Sequence, residues 1–262
     1  MESISILICS WNSLEQTKLL VSSIQKNSAI EHEINIHVNE VSEEFLDWIT
    51  DNKIQNYSYS SKNEGLAVGT NTVSQLATSD FIYLVDDDMY LLPKWDIELF
   101  NTVKQINDDK FWINSTMIEP IGQAPWTIGN EDYGRTPNDF QEERLLIDYP
   151  KFLNTVPDLY STALPCLLPT KYWKKVGGYD ERFGLAIGSE EGLAKRFWDV
   201  GCRLFVNSPN SLIYHLQQST TSKLTNYNKH RQHRETLFQK LYQISCTDFN
   251  TNYIKRGQHW QK

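Results

Sequence analysis

The chain has 262 residues, 40% hydrophobic and 22% charged, enough apolar material for one large domain or two fused halves. A formal net charge of −8 counts against a general DNA or RNA binder, whose affinity rests on a basic surface. Cys9, Cys166, Cys202 and Cys246 are scattered and form no C-x-x-C pair, which excludes a zinc ribbon or disulfide framework and reads as reduced thiols of a cytoplasmic protein.

The N-terminus lacks a basic leader and turns polar early, so it reads as a first strand rather than a signal peptide. No apolar run approaches the roughly 18 residues that span a bilayer. Ile4 to Cys9 predicts a buried strand, bounded by the turn-prone Asn12-Ser13. Leu14 to Lys26 predicts a helix, with Leu19, Leu20 and Ile24 at helical spacing. Ile34 to Val38 reads as a strand, Glu43 to Ile49 as a helix and Tyr57 to Ser60 as a third strand. Ala67 to Ala77 predicts a helix with Val68, Thr72 and Leu76 on one face, and Phe81 to Val85 a buried strand. This alternation is α/β logic with a mostly parallel sheet.

The second half is less regular. Phe111 to Thr116 and Ala163 to Leu168 read as strands, and Glu119 to Pro157 as long loops. Glu190 to Val200 reads as a helix capped by Ser189, Arg203 to Val206 and Leu212 to Tyr214 as closing strands, and Arg234 to Ile244 as a helix in a polar tail.

Ligands of such sheets bind beyond the carboxyl ends of the strands. Three of these ends carry polar residues: Ser10 to Asn12, Asn39-Glu40 and Asp86-Asp87-Asp88. Adjacent carboxylates repel unless a cation sits among them, and strand alternation points Asp86 and Asp88 the same way. They would form half of a Mg²⁺ or Mn²⁺ site, completed by diphosphate oxygens and water; the competing reading is a solvated acidic turn. In Asn63-Glu64-Gly65-Leu66-Ala67-Val68-Gly69-Thr70-Asn71 the glycines permit close backbone approach, and helix-start amides suit a phosphate or ribose. Glu190 and Glu191 sit at a helix start, where they serve either the helix dipole or as general base. His215 follows an apolar strand, as a structural residue or as the imidazole that completes a carboxylate metal site.

The order of these motifs resembles the family 2-type glycosyltransferases of GT-A fold, from the first strand to about Thr221. Ser5 to Asn12 resembles the family's opening strand, and Glu40 falls where an acidic residue contacts base or ribose. Asn63, Gly65, Ala67 and Asn71 fall on the N-x-G-x-A…N segment, and Asp86-Asp87-Asp88 on the DXD motif. Gly177 to Phe183 is similar to G-G-[FY]-D-E-x-F, Arg196 to Gly201 to R-L-x-x-x-G, and Tyr214-His215 to the late histidine. The chain departs from the family at Ser189-Glu190-Glu191, where the acidic pair is usually Glu-Asp, and at Gly69-Thr70, where an Arg often precedes the Asn.

The resemblance implies a Rossmann-like, mostly parallel sheet with an irregular acceptor half. One domain would span 1–218, with a nucleotide-sugar half over 1–105 and an acceptor half over 106–218, followed by a tail over 219–262. It implies transfer of a sugar from a nucleotide sugar, UDP-linked by expectation, to an acceptor hydroxyl with inversion. The donor would meet Ser10, Asn12, Glu40, Asn63, Gly65, Asn71, Asp86 and Asp87. The divalent ion would sit on Asp88 and His215, with Asp86 beside them, and Glu190, or else Glu191, would be the base. Trp126, Tyr133 and Trp173 are expected as acceptor-side rings or, equally, as packing. The acceptor stays open among glycan, lipid-linked sugar, protein and modified base. The alternatives are an inactive relative that binds a glycan or partner, and a sugar nucleotidyltransferase, against which Ser10 to Glu15 offers no Gly or basic residue. The basic run Lys229, His230, Arg231, His233 and Arg234 reads as a solvated helix face.

Overall fold

The computed structural model describes residues 3–122, 124–184, 189–217 and 227–260, the side chains of 227–231 excepted. The sheet begins with β1 (Ile4–Trp11), β2 (Glu33–Asn39), β3 (Asn56–Tyr59) and β4 (Phe81–Val85), all mutually parallel. It continues with β5 (Met89–Leu91), β6 (Phe111–Ile118), β7 (Thr127–Ile128), β8 (Cys166–Pro169) and β9 (Leu204–His215). The strand order is β3-β2-β1-β4-β8-β6-β9-β5, with β7 on β6. β8 is antiparallel to both β4 and β6, and β5 is antiparallel to β9, whereas β6 and β9 are parallel.

Alternation along each strand feeds two cores. Ile4, Ile6, Ile8, Tyr83 and Val85 face α1 (Leu14–Asn27), α2 (Glu43–Asp51) and α4 (Trp95–Ile106), where Leu20, Phe45 and Trp95 are buried. Leu7, Ile82 and Leu84 face the other way, toward α3 (Leu66–Ser74), α6 (Thr170–Val176) and α7 (Ser189–Asp199). In α3 the buried face is Ala67, Thr70, Val73 and Ser74, opposite the face that carries Thr72 and Leu76, and Gly69 lets the helix settle close to β1 and β2.

Four other expectations are corrected. The stretch 119–157 is not simply loops: it holds β7 and α5 (Glu142–Asp148) and closes over its own cluster of Tyr133, Leu145 and Phe152 with Tyr214. The two closing strands are one strand, β9, whose irregular step between Ser208 and Leu212 is fastened by Ser115 Oγ to Ser211 Oγ at 2.8 Å. Ser189 is the first residue of α7, and among the described residues its buried hydroxyl has no hydrogen-bond partner, so it does not cap. The tail joins the domain rather than standing apart in solvent, since α8 (Tyr227–Tyr242) and the segment after it bury Phe238, Phe249 and Ile254 in the second core.

Candidate active site

β1, β4, β6 and β9 run in the same direction, so their carboxyl ends meet on one edge of the sheet. That geometry alone delivers Ser10, the aspartate triplet, Glu119 and His215 to one place. Register does the rest. Ile118 of β6 lies opposite Tyr214 of β9, and Met89 of β5 lies opposite His215. His215 is therefore flanked by the residue after Ile118 and the residue before Met89, which are Glu119 and Asp88.

The imidazole bridges them. Nε2 of His215 lies 3.3 Å from Asp88 Oδ2, and Nδ1 lies 2.9 Å from Glu119 Oε1. Asp88 is 6% exposed and Glu119 2%. Main-chain bonds fix both ends: Leu216 N–H donates to the Asp88 carbonyl at 3.0 Å, and Glu119 N–H donates to the Ile128 carbonyl at 2.8 Å. Burial alone would lower the affinity of His215 for its proton, yet the bonds and charges of Asp88 and Glu119 carry its pKa up to about 10.

The three aspartates part company. Asp86 lines a cavity of about 270 Å³ with Glu190, Glu191, Met117, Thr162 and His215. Burial and the Asp88 charge push its pKa up to about 6. Asp87 turns toward the Ser10 and Ser13 hydroxyls, and burial followed by the Asp88 charge pushes it up to about 8. Ser10 is fully buried and also accepts from Thr17 Oγ1 at 2.9 Å. Asn12 lies beside it in the left-handed region, with φ 51°.

The other predicted donor contacts are distributed. Glu40 is exposed at the end of β2, where Trp11 Nε1 donates to its carboxylate at 2.8 Å. Asn63 Oδ1 accepts from Gly65 N–H at 2.9 Å, forming the turn that opens α3, and Gly65 takes φ 90° there. Asn71 is not brought to the cavity. Its Nδ2 donates to the Tyr179 carbonyl and to Glu181, and its Oδ1 accepts from Tyr179 N–H at 2.7 Å, so it fastens α3 to the Gly177–Phe183 stretch.

The acidic pair separates by partner. Glu191 Oε1 lies 3.4 Å from a guanidinium nitrogen of Arg234. Glu190 has no such ion pair among the described residues; burial and the Glu191 charge push it up to about 8. The Arg234 pairing also corrects the expected solvated basic face, while His233 remains exposed and Lys229, His230 and Arg231 lie outside the described side chains. Of the three expected rings, Tyr133 and Trp173 are core residues, Tyr133 fully buried with its hydroxyl donating to Asp148 at 2.9 Å. Trp126 is half-buried and lies against Arg256, 5.1 Å from ring centroid to guanidinium.

Two residues of this site were not selected from sequence: Glu119 and Arg256. A lone glutamate after a strand and a lone arginine in a polar tail carry no local signal. Glu119 is legible only once β6 and β9 are aligned side by side.

Among the described residues no three His, Cys, Asp or Glu side chains form a closed metal cage. With Nδ1 of His215 engaged by Glu119, Nε2 is the ring atom left to face an ion together with Asp88. Such a pair fits a divalent ion that keeps most of its shell for water and substrate phosphate.

A mostly parallel sheet with acidic residues and a histidine gathered at its carboxyl edge defines a GT-A glycosyltransferase fold. The family model for glycosyl transferase family 2 matches residues 5–155, and the chain belongs to that family. Among solved structures it is similar to the crystal structure of GalNAc-T7 with UDP, GalNAc and Mn²⁺, at TM-score 0.59 and 14% identity, over 82% of this chain. The chain spans 43% of the length of that protein chain. No curated protein matches the sequence.

Proposed function

We propose that the protein transfers a sugar from a nucleoside-diphosphate sugar to an acceptor hydroxyl, with a divalent ion, and inverts the anomeric centre. The observation that carries this reading is the Glu119–His215–Asp88 row on the same edge as the Glu190-lined cavity. The UDP and Mn²⁺ of the GalNAc-T7 structure favour a UDP donor and manganese, with magnesium the other choice.

Asp88 and His215 Nε2 would hold the ion, and Glu119 keeps the imidazole turned with Nε2 toward it. When bound, the ion offsets the charge that develops on the departing diphosphate. Ser10, Asn12, Glu40, Asn63 and Gly65 would line the donor's nucleotide end, Asp87 supporting Ser10. Asp86 lies between the donor edge and the acceptor cavity. Glu190 would accept the proton of the attacking hydroxyl; its raised pKa suits a base that works near neutral pH. Glu191, held by Arg234, is the second choice for that role. Four free cysteines fit a reducing, cytoplasmic setting, and no helix of the described residues is long and apolar enough to cross a membrane.

Thermal denaturation with nucleoside diphosphates and Mn²⁺, Mg²⁺ or chelator tests the reading. A ligand at a hundredfold its Kd stabilises by about 2.7 kcal/mol. The expected result is a metal-dependent shift with one nucleotide that disappears in Asp88→Ala. No shift with any nucleotide and metal would overturn it. Retention of configuration in the product would remove Glu190 from the base role.

A further inference from the structure

Arg256 lines the same cavity as Asp86, Glu190 and Glu191, and among the described residues it makes no salt bridge with any of them. It lines that space with Glu190, Thr162 and Leu164, none of which comes from the first four strands. Its Nε is buried without a hydrogen-bond partner among the described residues. Among the described residues it forms no ion pair, whereas Arg135, Arg144, Arg182 and Arg234 pair with carboxylates, and Arg196 and Arg203 donate to main-chain carbonyls.

The guanidinium is held in place rather than trailing from a loose end. Gly257 N–H donates to the Tyr160 carbonyl and Tyr160 N–H to the Gln258 carbonyl, each at 2.9 Å, and Trp260 N–H donates to the Asp158 carbonyl at 3.0 Å. Trp126 backs the cation with its ring face. Burial lowers the guanidinium from its ordinary pKa, which is the mark of a charge short of solvent. A buried guanidinium N–H left without a partner is a cost to folding that an anionic ligand would offset. The planar fork of arginine matches a carboxylate or phosphate with two parallel N–H donors.

We propose that Arg256 is the recognition residue for an anionic acceptor, a sugar compound that carries a phosphate or carboxylate near its attacking hydroxyl. The inference rests on the glycosyltransferase reading. The donor diphosphate is the other source of such an oxyanion; Asp86 and His215 share the cavity lining with Glu190, so the two sources are told apart by the UDP arm of the test.

The test titrates glucose 6-phosphate, glucuronate and glucose into the protein, with and without UDP and Mn²⁺, and titrates UDP with Mn²⁺ separately. Wild type is expected to bind one of the two anionic sugars at least tenfold more tightly than glucose. Arg256→Gln should lose that preference, Arg256→Lys should keep part of it, and both should bind UDP with Mn²⁺ within twofold of wild type. Equal affinity for the anionic and neutral sugars in wild type overturns the proposal, as does an unchanged preference in Arg256→Gln. A tenfold fall in UDP affinity in that variant assigns Arg256 to the donor instead and also overturns it. Failure of wild type to bind UDP with any metal sinks the glycosyltransferase reading, while the nucleotide-free sugar arm still reports on Arg256.

Discussion

Replacing Glu119 by Gln removes one charge from the Glu119–His215–Asp88 row and leaves its shape almost unaltered. At the observed 2.9 Å, a carboxylate and an imidazolium attract by a gross Coulomb energy of about 6 kcal/mol at an effective dielectric of 20. That figure is a ceiling, because the amide oxygen of Gln still accepts a hydrogen bond. The amide can also turn its NH₂ toward Nδ1, which forces the proton onto Nε2 and blocks the atom that would face the ion. Residues that orient a ligating histidine typically contribute tenfold to a hundredfold in metal affinity, about 1.4 to 2.7 kcal/mol. Glu119→Gln is therefore expected to weaken Mn²⁺ binding, measured by calorimetry in the presence of UDP, by that factor. Stability falls as well, since Glu119 Oε2 is buried without a partner among the described residues and an NH₂ in its place would be an orphan donor, a cost of about 1–3 kcal/mol. Fall in stability alone therefore decides nothing, and the measurement is repeated in a His215→Ala background. There Glu119→Gln should leave Mn²⁺ affinity unchanged, because the group through which it acts is gone. Unaltered Mn²⁺ affinity in the single variant, or an equal loss in both backgrounds, refutes the reasoning.

Glu190→Gln should lower kcat by about 10²–10⁴ while leaving UDP and Mn²⁺ affinity within twofold. A base must be ionised to act, so wild-type turnover should rise with pH toward a plateau above about 8, and that limb should vanish in the variant. Asp96 accepts from Ala29 N–H at 2.8 Å and Ile30 N–H at 3.3 Å and lies 3.1 Å from His32 Nε2. Burial raises its carboxyl, but the bonds from His32, Ala29 and Ile97 outweigh this and hold it below the usual range. Its contribution is present above the ordinary carboxylate pKa and is lost as pH falls through the lowered value. Asp96→Asn should cost about 3 kcal/mol in urea denaturation at pH 7, and less at pH 3; equal cost at both would remove the charge from the account. Gly69→Ala would place a methyl 2.5 Å from His37 Cδ2 and 2.6 Å from Cys9 Sγ. Overpacking of about 1–3 kcal/mol should exceed the helix-propensity gain of about 1 kcal/mol, and a variant with a higher Tm would refute that balance.

The first half of the fold was legible because its signals are local. Ile4 to Cys9 and Phe81 to Val85 are mostly apolar runs that read as buried strands, and the polar residues at their ends mark the edge where the proposed ligands would bind. Helix α3 was legible as a helix, but its buried face was not, because its packing is set by the close approach that Gly69 permits. The stretch 119–157 looked like loops because Gly, Pro and acidic residues dominate its surface. Its few buried side chains, Tyr133, Leu145 and Phe152, follow no single period, since they converge from three short segments.

The site divides along the same line. Asp88 and His215 could be singled out because each directly follows or precedes an apolar run. Their meeting depends on β5 turning back antiparallel beside β9, and the partner on the far side, Glu119, is 96 residues from His215 in sequence. No spacing rule reaches that far; a sheet register does, and it differs by whole residues if the irregular step near Ser208 is moved. The tail makes the same point in charge. As a string, Arg234 and Arg256 are two basic residues in a polar segment, for which solvation is the default. Folded, Phe238 and Phe249 pull that segment into the second core and deliver one guanidinium to Glu191 and the other to the Glu190 cavity. In an acidic chain, cations placed beside buried carboxylates decide which carboxylate stays neutralised and which is left to accept a proton. Here Arg234 takes Glu191, leaving Glu190 as the acid without an ion pair, and that difference favours it as the base more than the alignment of either residue with a motif.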